Sequence, residues 1–569
     1  MAAHSTRNKV LCGLSLPVGR AICALAGLIT DYRLLTTVAT PKEQPMSLIT
    51  IRQTTDDLRA GPNAEVCFDG AAGVPVTISD PFTDAEEQRL AWYFEEWLRY
   101  PFTGGVKAAE AAASTRAYGE ALFAQTLRAT DAIYSRYRQA LQAGGVPGLH
   151  FQIVGSPDFH RLHWETLWDP ERGQPLLLDA TMIRSTTQPG ADPIQVQESA
   201  TINLLLVTAR PHGKRDVAYR TIQRPLIEML HRSQLPVQVD IVRPGSWRAL
   251  VDHLHQARQR HGVGHYQMIH FDLHGAVLTR AQLAKIDGVA AHSYRVRLQE
   301  RYARPDLVVP AAEQGTTTDA AAADDPRTAW LFFEDEIGDD LDAASAEEVA
   351  HLLLENGIPM AILNACQSGQ ETGAPETSLG SRLLLAGVQT VVAMGYSVTV
   401  VGATRFMEHF YAALFQPPHD LLRALAAGRT ALHHEKQRNA RFNRTIPLED
   451  WLLPVLYQPS SQSARQLPLR EMSFDEQIAF FSRLNERYSP PNPEYGFVGR
   501  DLDILQIEKR LLRREEGKAQ PALAPGHGRR GQDDTVSTTW PAGGNRPASL
   551  ARSSILATIA RPTTYKSCC

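Results

Sequence analysis

The sequence is poor in cysteine. Six occur in 569 residues: Cys12, Cys23, Cys67, Cys366, Cys568 and Cys569. No CxxC pair exists, so neither a disulfide framework nor a thiolate zinc site is indicated. A reducing, cytoplasmic compartment is the expectation. The chain also lacks a charge excess: Lys+Arg is 58 and Asp+Glu is 62, a formal charge of −4. Bulk charge therefore makes no case for a nucleic-acid partner. No apolar run reaches the ~20 residues of a membrane span. Val10 to Ile29 comes closest, and Pro17 and Arg20 interrupt it. Internal repeats are missing, which excludes solenoids and propellers. What remains is a chain with 43% hydrophobic and 21% charged residues, the balance of a globular protein with a real core.

Residues 1–45 are expected to be a disordered leader or to lie upstream of a true start at Met46, since ordered patterning begins with "SLITI" directly after it. A weak signal peptide is the other reading, given Arg7 and Lys9 ahead of the apolar stretch. From Ala64 to Ser79, two short alternating runs read as strands. A helix follows through "DAEEQRLAWYFEEWLRYPF" and stops at Pro101, and a second helical stretch runs from Lys107 to Ala143. "LHFQIVG" is a strand, and "PLLL" with "TMIRS" suggests a hairpin. These make an N-terminal α+β lobe over 46–195.

From residue 196 to 458 the pattern changes to near-continuous apolar runs of strand length separated by helical segments. Such runs are "TINLLLVTA", "YQMIHFDLHG", "AWLFFED", "PMAILNAC" and "VQTVVAMG". This predicts an α/β fold with a doubly wound, mostly parallel sheet covered on both faces. Function in such a sheet lies at the carboxyl ends of the strands. A polar insertion over 278–327 and an acidic stretch over 334–342 are expected to be surface loops. Residues 459–492 read as a linker around one helix.

Two strand ends carry chemistry. "IHFDLHGAV" puts His274 and Gly275 where a strand is expected to leave the sheet. "AILNACQSGQ" puts Cys366 at the end of another. A cysteine nucleophile works as a thiolate, and a nearby imidazole takes its proton. Glycine after the histidine allows close backbone approach. Six histidines fall between His253 and His274, but no Asp/Glu/Cys cluster completes a metal site. Neither a metal nor a cofactor is expected.

The motifs "HFDLHG", "LNACQSG", "LLLAGVQTVVAMGYSV" and "EDWLLPVLYQ", in that order, resemble the CHAT domain. This is the caspase-like cysteine peptidase domain of the caspase/separase clan. "HWETLWD" and "WYFEEWLRYPF" resemble segments that often precede the dyad in that family. "NACQSG" is similar to the caspase pattern Gln-Ala-Cys-x-Gly, whose histidine lies ~50 residues upstream. Here the gap is 366 − 274 = 92, which fits a CHAT domain better than a true caspase.

The resemblance implies a cysteine endopeptidase acting on a protein substrate, the effector of a multidomain bacterial signalling or defence protein. Cys366 would attack the scissile carbonyl and His274 would be the general acid–base. The backbone N–H groups of Gly275 and Cys366 would form the oxyanion hole, with no fixed third carboxylate. Asp272 is a candidate substrate-pocket acid. Relatives preferring basic P1 residues often carry an acid two before the cysteine. Asn364 stands there in this chain, which leaves P1 open. A catalytically inactive CHAT-like interaction module is the alternative.

The C-terminus departs from the rest. "YGFVGRDLDILQIEKRLL" (495–512) resembles the entry to an AAA or STAND-type NTPase module, so 493–520 reads as its start. The P-loop such a module needs is missing, and ATP or GTP binding is not expected in this chain. Residues 521–569 are expected to be a disordered tail. From Lys518 on, seven Lys/Arg face two Asp/Glu, a net +5 against −9 for the remainder. "GHGRRGQDDTV" (526–536), back-translated and read one base later, can encode Gly-Met-Gly-Gly-x-Gly-Lys-Thr-Thr-Leu. That points to a frameshift near 520–525 as the other account of the tail.

Overall fold

The site-bearing half of the chain, from residue 202 onward, mixes strands with helices, including antiparallel strand pairs. In chain order the strands are β1 Ser47–Gln53, β2 Ala64–Phe68, β3 Val74–Val76, β4 Leu149–Gly155, β5 Thr181–Thr186, β6 Ile202–Thr208 and β7 Val237–Val242. There follow β8 Met268–Leu278, β9 Thr328–Glu334, β10 Leu341–Ser345, β11 Met360–Ala365, β12 Thr390–Met394, β13 Gln437–Ala440, β14 Arg444–Pro447 and β15 Pro454–Tyr457. The longer helices are α1 Asp84–Glu95, α2 Gly105–Gln125, α3 Asp131–Gly144, α4 Trp247–His261, α5 Ala346–Glu355, α6 Val400–Leu414, α7 Leu421–His434 and α8 Phe474–Arg487. The computed structural model describes residues 46–55, 61–186, 194, 197–211, 226–227, 236–283, 285, 328–335, 341–365, 380–381, 383–385, 387–396, 398–459 and 469–487. The leader, the NTPase-like stretch and the tail all lie outside the described residues, as do 460–468 and 488–492 of the linker.

The local chemistry of the helix starts is plain. Ser345 caps α5 with a full capping box: its hydroxyl accepts from Glu348 N at 3.2 Å, and Glu348 accepts back from Ser345 N at 2.7 Å. Ser246 caps α4 by accepting from Ala249 N, and Asp420 caps α7 by accepting from Leu422 N and Arg423 N. The single helix expected over 107–143 is two. The Thr126 hydroxyl donates to the Leu122 carbonyl at 2.6 Å where α2 ends, and the Thr130 hydroxyl accepts from Ile133 N where α3 begins. Threonine side chains that bond the backbone favour helix ends over helix interiors.

One mixed sheet of 13 strands unites both lobes, in the order β10-β9-β8-β11-β12-β15-β5-β4-β1-β2-β3, with β6 and β7 branching from β8. Its centre is parallel: β6 with β7 and β8, β8 with β11, and β11 with β12. Every residue of β6 and of β12 is buried, as expected where helices cover both faces. Even-numbered residues of the central strands (Leu204, Leu206, Met268, Ile362, Val392) join one core beneath α6 and α7. Odd-numbered ones (Leu205, Val207, Ile269, Phe271, Leu363) join a second core beneath α4 and α5. The period of two along a strand divides them. The chain is thus an α/β protein with parallel central strands.

Three local expectations change. "PLLL" and "TMIRS" do not form a hairpin. Leu176–Leu178 is a 3₁₀ turn, and β5 runs parallel to β4. All three leucines are buried there, so the turn serves as a core plug between parallel strands. The acidic stretch over 334–342 is not all loop, because Glu334 ends β9 and Leu341 and Asp342 begin β10, its antiparallel partner. Finally, the strand carrying His274 does not leave the sheet at Gly275. β8 continues to Leu278 by changing partners. Its first half pairs with β6 up to Thr208–Asp272, and its second half pairs with antiparallel β9 from His274–Phe332 onward.

Candidate active site

The change of partner on β8 builds the site. On one edge, β6 gives way to β9 between Asp272 and His274. On the other, the ladder with β11 has its last pair at Leu273–Ala365. Met268, His270, Asp272 and His274 share one face of β8 by strand alternation. They pass from the core to the rim: Met268, His270 and Asp272 are buried, and His274 is half-buried. Gly275 is buried and pairs with Leu331. Cys366 follows Ala365 in the chain and lies outside the described residues.

The polar groups beneath His274 are tightly partnered. The imidazole Nδ1 of His270 meets the Tyr411 hydroxyl of α6 at 2.7 Å, and the two rings stack at 5.9 Å. Burial holds the His270 imidazole down to about 4, with Asp272 opposing and Arg210 adding to the shift. It is therefore neutral at physiological pH. Asp272 places Oδ2 2.6 Å from Arg210 Nη2, and its Oδ1 accepts from Asn364 Nδ2 at 3.1 Å. Arg210 stands just beyond β6, and its Nη1 donates to the carbonyls of Asp272 (2.7 Å) and Ala209 (2.9 Å). The backbone N–H of Arg210 donates to Glu334 Oε1 at 2.9 Å. Asp272 and Asn364, the two candidate pocket residues, are thus 5% and 1% exposed and bonded to each other. Asn364 Oδ1 is buried and has no hydrogen-bond partner among the described residues.

A second polar group lies where the N-terminal lobe meets β12 and β15. Glu165 and Arg184 form a buried ion pair through Nε (3.1 Å) and Nη2. Arg184 also donates to the carbonyls of His160 and Leu162. Glu87 accepts from the Tyr396 hydroxyl and meets His163 Nε2 at 2.9 Å. Burial alone would raise the Glu87 carboxyl, but His163 and Tyr396 together hold it below the usual range. A cavity of about 10 Å³ opens beside Arg161, His163, Glu165, Arg184, Gly395 and Tyr396, room for about one water. Glu165 of "HWETLWD" therefore holds a loop against the sheet.

Of the other histidines, His253 meets the Tyr266 hydroxyl at 2.7 Å, His261 stacks on His265 at 4.1 Å, and His255 is exposed. Among the described residues, no group of three or more His, Cys, Asp or Glu is placed to hold a metal. None of their helices is long and apolar enough to cross a membrane. Arg210 and Tyr411 escaped the sequence reading. For Arg210 a signal existed, since it ends the apolar run of a central strand, where a parallel sheet places function. For Tyr411, 137 residues downstream of His274 (411 − 274), none did.

A family model described as the CHAT domain matches residues 116–465. No curated protein matches the chain. Two crystal structures of the separase–securin complex of Saccharomyces cerevisiae match the chain, each with a TM-score of 0.27, at 12% and 11% identity. The matches cover 55% and 66% of this chain and 15% and 20% of theirs, so the chain spans a fifth or less of those proteins.

Proposed function

The chain belongs to the CHAT domain family, and on that premise we propose that it is a cysteine endopeptidase using His274 and Cys366. We further propose that it is the effector of a multidomain bacterial signalling or defence protein. The observation that supports the dyad is the end of the β8–β11 ladder: its last pair is Leu273–Ala365, and the next residues in sequence are His274 and Cys366. Adjacent strands lie ~4.8 Å apart, close enough for side chains on one face of neighbouring strands to come within hydrogen-bond reach.

In this reading His274 takes the Cys366 proton, and the thiolate adds to the scissile carbonyl. The oxyanion is held by the N–H groups of Gly275 and Cys366. On collapse, His274 returns the proton to the departing amine, leaving a thioester. Water then attacks the thioester, its proton passing through His274 back to the thiolate as the acid is released. Cleavage of a peptide library by the wild type, lost in both Cys366→Ala and His274→Ala with the fold retained, is the expected result. Cleavage surviving in Cys366→Ala refutes the dyad. Selective labelling of Cys366 by a peptide electrophile separates the peptidase from a catalytically inactive interaction module.

A further inference from the structure

Asp272 and Asn364 stand opposite one another on β8 and β11, each two residues before a member of the dyad. We infer that Arg210, Asp272 and Asn364 are positioning residues that clamp four strand ends together and so set the separation of His274 and Cys366. The inference rests on the dyad reading above.

The geometry supports positioning over substrate contact. At 5% and 1% exposure, Asp272 and Asn364 present no open surface to a peptide. Their mutual bond crosses β8 to β11 one pair before the ladder ends, where a parallel pair is most prone to splay. Arg210 then grips Asp272 twice, at the carboxylate and at the main-chain carbonyl. That carbonyl also accepts from Ala209 N at 3.1 Å. Main chain and side chain of the residue two before His274 are therefore both fixed from β6. The Arg210 N–H reaches Glu334 at the end of β9, the strand whose Phe332 pairs with His274. β6, β8, β9 and β11 thus meet in one hydrogen-bonded group. A guanidinium suits this junction because its planar fork serves carboxylate and carbonyl at once. Displacing a reacting group by about 1 Å can cost ~100-fold in rate, so a side-chain clamp at this point controls the chemistry without touching substrate.

The test is the pH dependence of Cys366 alkylation by iodoacetamide, read by mass spectrometry of the peptide containing Cys366, in the full chain. In the wild type the midpoint should lie well below the ordinary thiol value of about 8.5. In Asn364→Ala the midpoint should rise and the rate at pH 7 should fall about tenfold. Asn364→Ser, polar but too short to reach Asp272, should behave alike and serves where the alanine variant does not fold. The exchanged pair Asp272→Asn/Asn364→Asp keeps one carboxylate and one amide, and should return the rate to within about threefold of wild type. A depressed wild-type midpoint that does not move in folded Asn364→Ala or Asn364→Ser overturns the clamp alone. A folded exchanged pair that stays slow overturns the mutual bond as its basis. An ordinary midpoint in the wild type overturns the dyad, and the clamp with it.

Discussion

Arg438 and Asp450 meet as two forks, Nε to Oδ2 at 2.6 Å and Nη2 to Oδ1 at 2.7 Å, with neither side chain exposed. The remaining Arg438 donors go to the carbonyls of Leu432, Glu435 and Gln437, closing the group on itself. Arg210 and Asp272 meet through a single nitrogen, and the second carboxylate oxygen goes to Asn364 on another strand. The first arrangement pins the β13–β14 hairpin to the turn at Asp450–Leu452. The second is shared among strands, so its geometry is also the geometry of the rim. A buried charge pair can thus be purely structural or coupled to a site, and the distribution of its spare hydrogen bonds tells which.

The contrast is broken most forcefully at the arginines. Arg438→Met strands a carboxylate that burial already pushes up against the pull of Arg438. It should cost about 3–5 kcal/mol in urea unfolding while leaving the Cys366 alkylation profile of the folded fraction unchanged. Arg210→Met should cost a similar amount and also shift that profile. An unshifted profile in Arg210→Met erases the distinction.

Acid comes next. His270 is held near 4 and His160 near 3, in both cases by burial first. A histidine whose folded pKa is depressed contributes stability above its unfolded value of about 6.5. That stability is lost as pH falls toward the folded value, because only the unfolded chain gains the proton. Stability should therefore decline between pH 6.5 and 4, with His270 supplying at most about 3 kcal/mol. His270→Gln should flatten the decline in urea midpoints over that window. An unchanged slope assigns it elsewhere.

Two glycines give a smaller contrast. A Cβ on Gly245 would lie 2.0 Å from the Thr208 carbonyl oxygen, and one on Gly119 would lie 1.9 Å from that of Thr166. Backbone cannot yield as a side chain does, so each alanine should cost roughly 1–3 kcal/mol. Gly245→Ala presses on the end of β6 beside Arg210 and should also slow Cys366 alkylation. Gly119→Ala, in the N-terminal lobe, should not. The mildest comparison is Ser345→Ala, which removes half a capping box and should lower stability by about 1 kcal/mol with no effect on the rim.

The sheet was legible where side chains on both faces are apolar. β6, β11 and β12 stand in the sequence as nearly continuous apolar runs, because a strand covered on both faces has little polar side to show, whereas β8 carries His270, Asp272 and His274 along one face. The continuation of β8 past Gly275 was not legible, since it depends on β9, whose pairing begins at Phe332, far along the chain. The same holds for "PLLL", whose leucines fit a strand or a buried turn equally well. At the rim, His274 and Gly275 were readable as a pair by type and spacing. Asp272 and Asn364 were readable as residues of interest but not as partners of each other. Their bond follows from the β8–β11 register, and a register is a property of two segments together.

The pairing of Leu278 with Thr328 has a consequence for how this protein tolerates change. Everything between those residues, 328 − 278 − 1 = 49 positions, departs from and returns to a single rung of the sheet, four residues beyond His274. Closing a longer excursion on the same rung costs only about 0.6 kcal/mol per doubling of its length. The loop-closure cost of an insertion beyond Leu283, which packs with Trp330 and Phe332, is therefore small. Sequence length in this stretch can drift while the pairing of His274 with Phe332 stays where the strands put it.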